Sequence, residues 1–340
     1  MSIMWCGGED IDFPNYSGLA VIRPDMSEAF RAEYCRATLY SLPKSTSNAF
    51  AGGPVTSAWL SAQMYIAVAG SSHYVLDETW IIGLVKDPTT LDGIVITING
   101  SDPGAIAISK TSSGVITPLV TASIALDAYG VAHLYKLDLE ISNYGASSTI
   151  NLYINQVLWA TFSGDCTVAG VTDLSAVCIG GQSDIYHGYA AVSEIIIADE
   201  DTRAFPGLFT IIPNAQGTTD QWTGDYSTVN TVGASEDNPN YSNTISQDQQ
   251  FNPAPFASGA YIVKALKTSA FATKTADAAA IDLALGYSDG ITTVVGSTNS
   301  LDTSYKTYEQ LDSTNPITSQ PFVQTEMNAL QFDLRTVSVI

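Results

Sequence analysis

The sequence predicts an all-β protein, and three observations carry that prediction. The first is the stretch Val131 to Asp165, VAHLYKLDLEISNYGASSTINLYINQVLWATFSGD, where polar and apolar residues alternate with period two. Leu134, Lys136, Asp138 and Glu140 alternate with Tyr135, Leu137, Leu139 and Ile141. After a turn at Asn143–Gly145, Ile150, Leu152 and Ile154 alternate with Asn151, Tyr153 and Asn155. Alternation of this kind places one face of a strand in a core. The second observation is the recurrence of turn clusters, PKSTSN, NGSDPG, SGD and GGQSD, between short strand-like runs. The third is composition. The 340 residues are 45% hydrophobic but only 14% charged, against about 25% charged in an average globular protein. Gly, Ser, Thr and Asn fill surface positions instead, as suits an antiparallel sandwich rich in turns.

Taken in order, strand patterns fall at Gly18–Arg23, Ala29–Leu39, Thr56–Ala69, Thr79–Val85, Gly93–Asn99 and Ala105–Lys110. They continue at Val115–Leu126, His133–Ser142, Thr149–Ser163, Ala176–Gly180 and Ala190–Ala198. Charges then cluster in DEDTR, residues 199–203, and a Pro/Gly pair follows, which sets a boundary at 204/205. Residues 205–258 read as an extended connecting and assembly segment, polar and rich in Pro and Asn; a structureless stretch of that length is unusual inside a compact domain. Residues 259–340 return to strand patterns and form a smaller C-terminal β domain. Ala270–Leu285 suits either a helix or two strands.

The net charge of −21 opposes nucleic-acid binding and keeps a strand-rich chain soluble before assembly. No stretch has the length and apolarity of a membrane span, and MSIMWCGGED lacks the pattern of a signal peptide. The expectation is synthesis in the cytoplasm without membrane insertion. Cys6, Cys35, Cys166 and Cys178 show no CxxC spacing and read as buried thiols, with a Cys166–Cys178 bridge open under oxidising conditions.

The Tyr135–Phe162 and Val177–Ala198 regions resemble a laminin-G/concanavalin-A-like jelly roll. The matching pieces are LYKLDLEIS, TINLYINQVLWATF, VCIGGQ and GYAAVSEIIIADED, with Glu194 in the acidic position of the closing strand. The resemblance implies a lectin-like domain over residues 1–204. Two further stretches, SEIIIADEDTRAFPGLFTIIPNAQGTTDQWTGDYSTVN and LDSTNPITSQPFVQTEMNALQFDLRT, look like segments of tailed-bacteriophage structural proteins. That family closes on NAxQFG, where this chain has Asp333 in place of the Gly. The implied role is a non-enzymatic virion protein of the capsid surface or tail, with other virion proteins and further copies of itself as partners. A glycan-binding adhesin is the first alternative, with a host surface glycan as ligand. A polysaccharide-cleaving enzyme is the second.

No catalytic or metal site emerges from the residues. Asp138 and Glu140 project from one strand face about 6–7 Å apart, a spacing that would suit a glycosidase pair. Jelly-roll glucanases carry E-x-D-x-(x)-E, and Lys136 stands where their first Glu would be. The pair therefore reads as a solvated face. His73, His133 and His187 form no ligand motif. Asp199–Asp201 and Glu236–Asn240 have Ca²⁺-type oxygen donors without EF-hand spacing, and read as solvated loops. Trp59, Trp80 and Trp159 read as core. Trp222 lies in the polar run QWTGDY, so it, Tyr226, Tyr241, Phe251 and Phe256 are expected to form an assembly interface.

Overall fold

The computed structural model describes residues 3–7, 15–16, 19–22, 39–42, 45–50, 52–67, 76–86, 91–100, 105–123, 133–180, 189–204, 208, 211–229, 239–255, 262–276 and 281–338. The chain divides into two compact units, Met1–Phe209 and Thr210–Ile340. Among the described residues every strand pair in both is antiparallel.

The first unit is a jelly-roll sandwich of an eight-stranded and a seven-stranded sheet. Its strands are β1 (Ile3–Gly7), β2 (Asn15–Tyr16), β3 (Leu19–Ile22), β4 (Leu39–Leu42), β5 (Ser45–Thr46), β6 (Ala58–Ala67), β7 (Leu76–Val85) and β8 (Gly93–Gly100). There follow β9 (Ala105–Ser112), β10 (Val115–Ser123), β11 (His133–Ser142), β12 (Ser148–Ile154), β13 (Val157–Gly164), β14 (Ala176–Ile179) and β15 (Tyr189–Ala198). One sheet runs β13-β12-β11-β6-β15-β4-β3, with β1 on β15; the other runs β10-β9-β8-β7-β14-β5-β2.

Alternation decides which side chains meet between the sheets. Leu137, Leu139, Leu152, Ile154, Ile195 and Ile197 are all buried in one cluster with Leu60, Met64, Ile82 and Leu84, as their phase in the sequence requires. In β6 the inward residues are Ala58, Leu60, Ala62 and Met64, which turns Trp59 to the outer face. Trp59 is therefore no core residue, because it is out of phase with the apolar set. Trp159 does pack partly against the core; the side chain of Trp80 lies outside the described residues. Cys6, Cys166 and Cys178 are buried, and Cys166 Sγ lies 2.9 Å from Ser148 Oγ.

The Thr149–Ser163 run is not one strand. It breaks into β12 and β13 at Asn155 and Gln156, both left-handed with φ of 48° and 68°. Asn tolerates that conformation, and two consecutive positive φ values make the tight turn whose twist suits a hairpin.

The second unit holds a five-stranded sheet, β16-β17-β22-β19-β20, and a two-stranded one, β18-β21. The ranges are β16 (Pro213–Asp220), β17 (Asp248–Pro253), β18 (Leu266–Ala272), β19 (Ile281–Ser288), β20 (Thr293–Asn299), β21 (Lys306–Asp312) and β22 (Gln331–Ser338), with an α-helical turn, α1 (Gln324–Met327). Leu266, Tyr287, Phe322, Met327 and Leu330 form its apolar cluster. Of the 270–285 stretch, residues 270–272 end β18 and residues 281–285 begin β19, while 277–280 lie outside the described residues.

The 205–258 stretch is not an extended connection. It supplies β16 and β17, and β17 pairs with β22 near the middle of the sheet. Side-chain amides add to the backbone ladder of these strands. Gln250 Nε2 donates to Asp333 Oδ1 at 2.9 Å and Gln250 Oε1 accepts from Thr219 N at 3.1 Å. Gln249 Oε1 accepts from Trp222 N at 3.0 Å.

Candidate binding face of the eight-stranded sheet

Cross-strand register assembles one polar and aromatic row on the outer face of the larger sheet. Trp59, Glu140, Asn151 and Thr161 are successive partners across β6, β11, β12 and β13. In the adjacent row stand Ser61, Asp138 and Tyr153. Directly opposed side chains in a sheet lie within about 5 Å, so these groups interact. Asn151 Nδ2 donates to Glu140 Oε2 at 2.8 Å, and Thr161 Oγ1 donates to Asn151 Oδ1 at 2.9 Å. The Tyr153 hydroxyl stands 3.4 Å from Glu140 Oε2. The Trp59 and Tyr153 rings stack with centroids 5.8 Å apart and planes 20° from parallel.

The segment that follows β15 closes over this face. Lys136 Nζ donates to the carbonyls of Thr202 and Arg203 at 3.1 and 2.8 Å. Thr202 Oγ1 donates to Asp138 Oδ1 at 3.0 Å. The Arg203 guanidinium lies 4.4 Å from the Tyr153 ring centre and 5.4 Å from that of Trp59, within cation–π range. Asp201 aims it: Arg203 Nε and Nη2 donate to the two carboxylate oxygens at 2.9 and 2.6 Å. That pair holds the Asp201 carboxyl below the ordinary range.

Asp138 is consequently not on a solvated face. It is fully buried beneath Thr202. Burial raises its pKa, opposed by the Lys136 ammonium and by hydrogen bonds from Ser61 and Thr202. Burial lowers the Lys136 pKa, opposed by Asp138, Asp201 and Glu194. Glu194 sits with φ of 51° at a bulge, where the β15–β6 register slips between Ser193 and Ile196. The bulge turns its carboxyl into this buried polar group, of which Glu194 is 3% exposed.

The two carboxylates of the candidate pair thus have different surroundings. Asp138 is sealed, and Glu140 is tied to its neighbours Asn151 and Tyr153 on the half-buried surface. The side chains gathered on this face are two stacked rings, a guanidinium and a carboxylate–amide pair, groups whose chemistry suits contact with flat apolar faces and hydroxyls.

Sequence reasoning missed Lys136, Thr202 and Arg203 as parts of this face. DEDTR reads as a boundary and a solvated acidic loop, and nothing in it announces that the chain folds back. Tyr153 and Asn151 were findable, because they share the phase that turns Asp138 and Glu140 outward.

The expected assembly residues do not lie together as one exposed set. Trp222 is half-buried and its indole Nε1 donates to Gln247 O at 3.2 Å, within the second unit. Phe251 is 2% exposed, so its own sheet already buries it and it is not an interface residue. Tyr226 opens a 3₁₀ turn capped by Asp225. Tyr241 is 59% exposed, and Phe256 lies outside the described residues. His73 and His187 lie outside them too, as does the side chain of His133. Of the two acidic loops, Asp201 is engaged by Arg203, and Asn240 accepts from Thr228 Oγ1 at 2.9 Å; residues 236–238 are not described. Among the described residues no group of three or more His, Cys, Asp or Glu is placed to hold a metal ion, and no helix is long and apolar enough to cross a membrane.

Removing the Arg203 clamp should have a small, local effect. A half-exposed cation–π contact contributes about 0.5–1 kcal/mol. Arg203→Ala is expected to lower the melting temperature of the first unit by a few degrees at most and to alter Trp59 emission. An unchanged emission spectrum would show that the guanidinium does not rest on the rings.

No protein-family model and no curated protein matches the chain. Solved structures of similar arrangement are remote. The endo-β-1,4-glucuronan lyase of Trichoderma reesei is 8% identical with a TM-score of 0.39, over 58% of this chain and 96% of that one. A β-glucanase of Bacillus licheniformis is 12% identical with a TM-score of 0.31, over 46% and 71%. The binding domain of botulinum neurotoxin DC is 10% identical with a TM-score of 0.35, over 95% and 93%. Likeness at this level carries nothing about activity.

Proposed function

We propose that this chain is a non-enzymatic structural protein of a tailed-bacteriophage particle that acts through protein–protein assembly. The observation that carries the non-catalytic part is the sealing of Asp138. A glycosidase pair needs both carboxyl groups on the scissile bond; here one lies under Thr202, and Lys136 holds the covering backbone in place. The virion part is supported by the two stretches that resemble phage structural proteins, residues 193–230 and 311–336. A low charge content, 14%, also suits a chain that keeps much of its surface inside an assembly.

A second reading has its own observation. The Trp59–Tyr153 stack with Arg203 and Glu140–Asn151 beside it is a set that a sugar ring and its hydroxyls would fit. On this reading the particle uses the first unit as a glycan-binding adhesin.

The readings are separated by three measurements. Mass spectrometry of gradient-purified particles should find the chain at a fixed copy number relative to the major capsid protein. Its absence from particles refutes the virion assignment. Incubation of the purified chain with host surface polysaccharide should release no reducing ends. Release that Glu140→Gln abolishes would establish an enzyme instead. Binding on a glycan array, lost in Trp59→Ala, would favour the adhesin.

A further inference from the structure

We infer that the Trp59–Tyr153 pair on the outer face of the larger sheet is a slot for the guanidinium of a basic protein partner, and that Arg203 is the occupant the chain itself supplies. Where that partner is met rests on the assembly role proposed above; the slot itself does not.

The Arg203 guanidinium lies 4.4 Å from the Tyr153 ring centre and 5.4 Å from that of Trp59. The electron-rich ring faces hold a cation at that distance. The contact is shallow, because the side chain of Arg203 is 35% exposed and that of its partner Asp201 45%. The backbone beneath does not depend on it. Lys136 Nζ holds the carbonyls of Thr202 and Arg203, and Thr202 Oγ1 is bonded to the buried Asp138. The Arg203 side chain is therefore free to swing off the rings while the segment stays in place.

Charge selects what replaces it. Four acidic side chains, Asp138, Glu140, Glu194 and Asp201, meet two basic ones, Lys136 and Arg203. Lys136 is committed to Asp138 and the two carbonyls, and Arg203 to Asp201. Glu140 accepts from Asn151 at 2.8 Å and lies 3.4 and 3.5 Å from the hydroxyls of Tyr153 and Ser142, none of them basic. Among the described residues, this half-buried carboxylate beside two rings is matched by no cation of its own. A neutral sugar leaves its charge unanswered. An anionic one is repelled by the face and by the net charge of −21. A basic protein surface is attracted by both, and arginine adds a planar group that stacks on rings and forks onto a carboxylate.

The test uses the intact chain and two probes of equal charge, N-acetyl-arginine amide and N-acetyl-lysine amide, at constant ionic strength. The reporter is the Trp59 indole N–H resonance, assigned by its loss in Trp59→Leu. The arginine probe should shift it saturably, with a dissociation constant in the millimolar range. Arg203→Ala empties the slot and should tighten binding about two- to fivefold, the worth of the displaced cation–π contact. Glu140→Gln should weaken it. Unmoved resonances of the other tryptophans show that each variant is folded. No shift of the Trp59 resonance in Arg203→Ala, weaker binding in that variant, or equal binding of the lysine probe would each overturn the proposal. So would a neutral saccharide that moves the resonance where the arginine probe does not, which assigns the face to a glycan. None of these results depends on finding the chain in particles, so the slot and the assembly role fail separately.

Discussion

Lys136→Met is expected to destabilise the first unit by about 3–5 kcal/mol, the range for removing one partner of a buried charged group. Lys136 Nζ is the donor to two backbone carbonyls, Thr202 O and Arg203 O. It also lies 4.0 Å from Asp138 Oδ1, whose side chain is 0% exposed. Met retains the stem and loses the ammonium, so two carbonyls lose their donor and Asp138 loses its compensating charge. For a unit of this size each kcal/mol moves the melting temperature by about 2–4 °C, so a fall of roughly 6–20 °C is expected. Adding Asp138→Asn should recover part of the loss, because the amide keeps an acceptor for Thr202 and removes the stranded charge. Two single substitutions whose effects simply add would show that Lys136 and Asp138 act independently.

Asp333→Asn is expected to stabilise the second unit by about 1–3 kcal/mol at pH 7 and to do little at pH 4. Asp333 is fully buried in β22, between Gln250 on β17 and Gly286 on β19. Burial raises its pKa to about 6 from an ordinary 3.8, and Asp248 adds to the rise; the Gln250 hydrogen bond and Arg335 oppose it. The folded value lies above the unfolded one, so folding favours the protonated acid. Its contribution is fully present below about pH 4, declines as pH rises to about 6, and is gone above. Asn keeps an oxygen for Gln250 Nε2 and carries no charge, which removes that decline. Melting curves at pH 4 and pH 7 check this. Equal destabilisation at both would mean that the carboxylate makes a favourable contact that the amide cannot.

The sandwich was legible wherever apolar residues kept period two. β11 spans His133–Ser142 in both the pattern and the structure, and the inward set Leu137, Leu139, Leu152 and Ile154 follows from phase alone. Legibility failed where polar side chains fill the buried positions. PNAQGTTD and DQQFNP pair through the backbone like the other strands, but Gln249 and Gln250 are buried there, which leaves no hydrophobic period to read. The Asn155–Gln156 turn lacks the Gly or Pro that usually marks one. At the candidate face the rows of Trp59, Glu140 and Asn151 follow from register, but register needs to know which strands are neighbours. β6 and β11 are adjacent in the sheet and far apart in sequence. The sealing of Asp138 depends on a segment 64 residues away in sequence, and no local signal points to it.

A reconstruction of the purified particle tests the proposed assembly role within a virion most directly. The expected result is density for a sandwich of eight- and seven-stranded sheets at symmetry-related positions on the capsid or tail, contacting other virion proteins. A complete particle map with every surface density assigned to other chains and none to this one would contradict it.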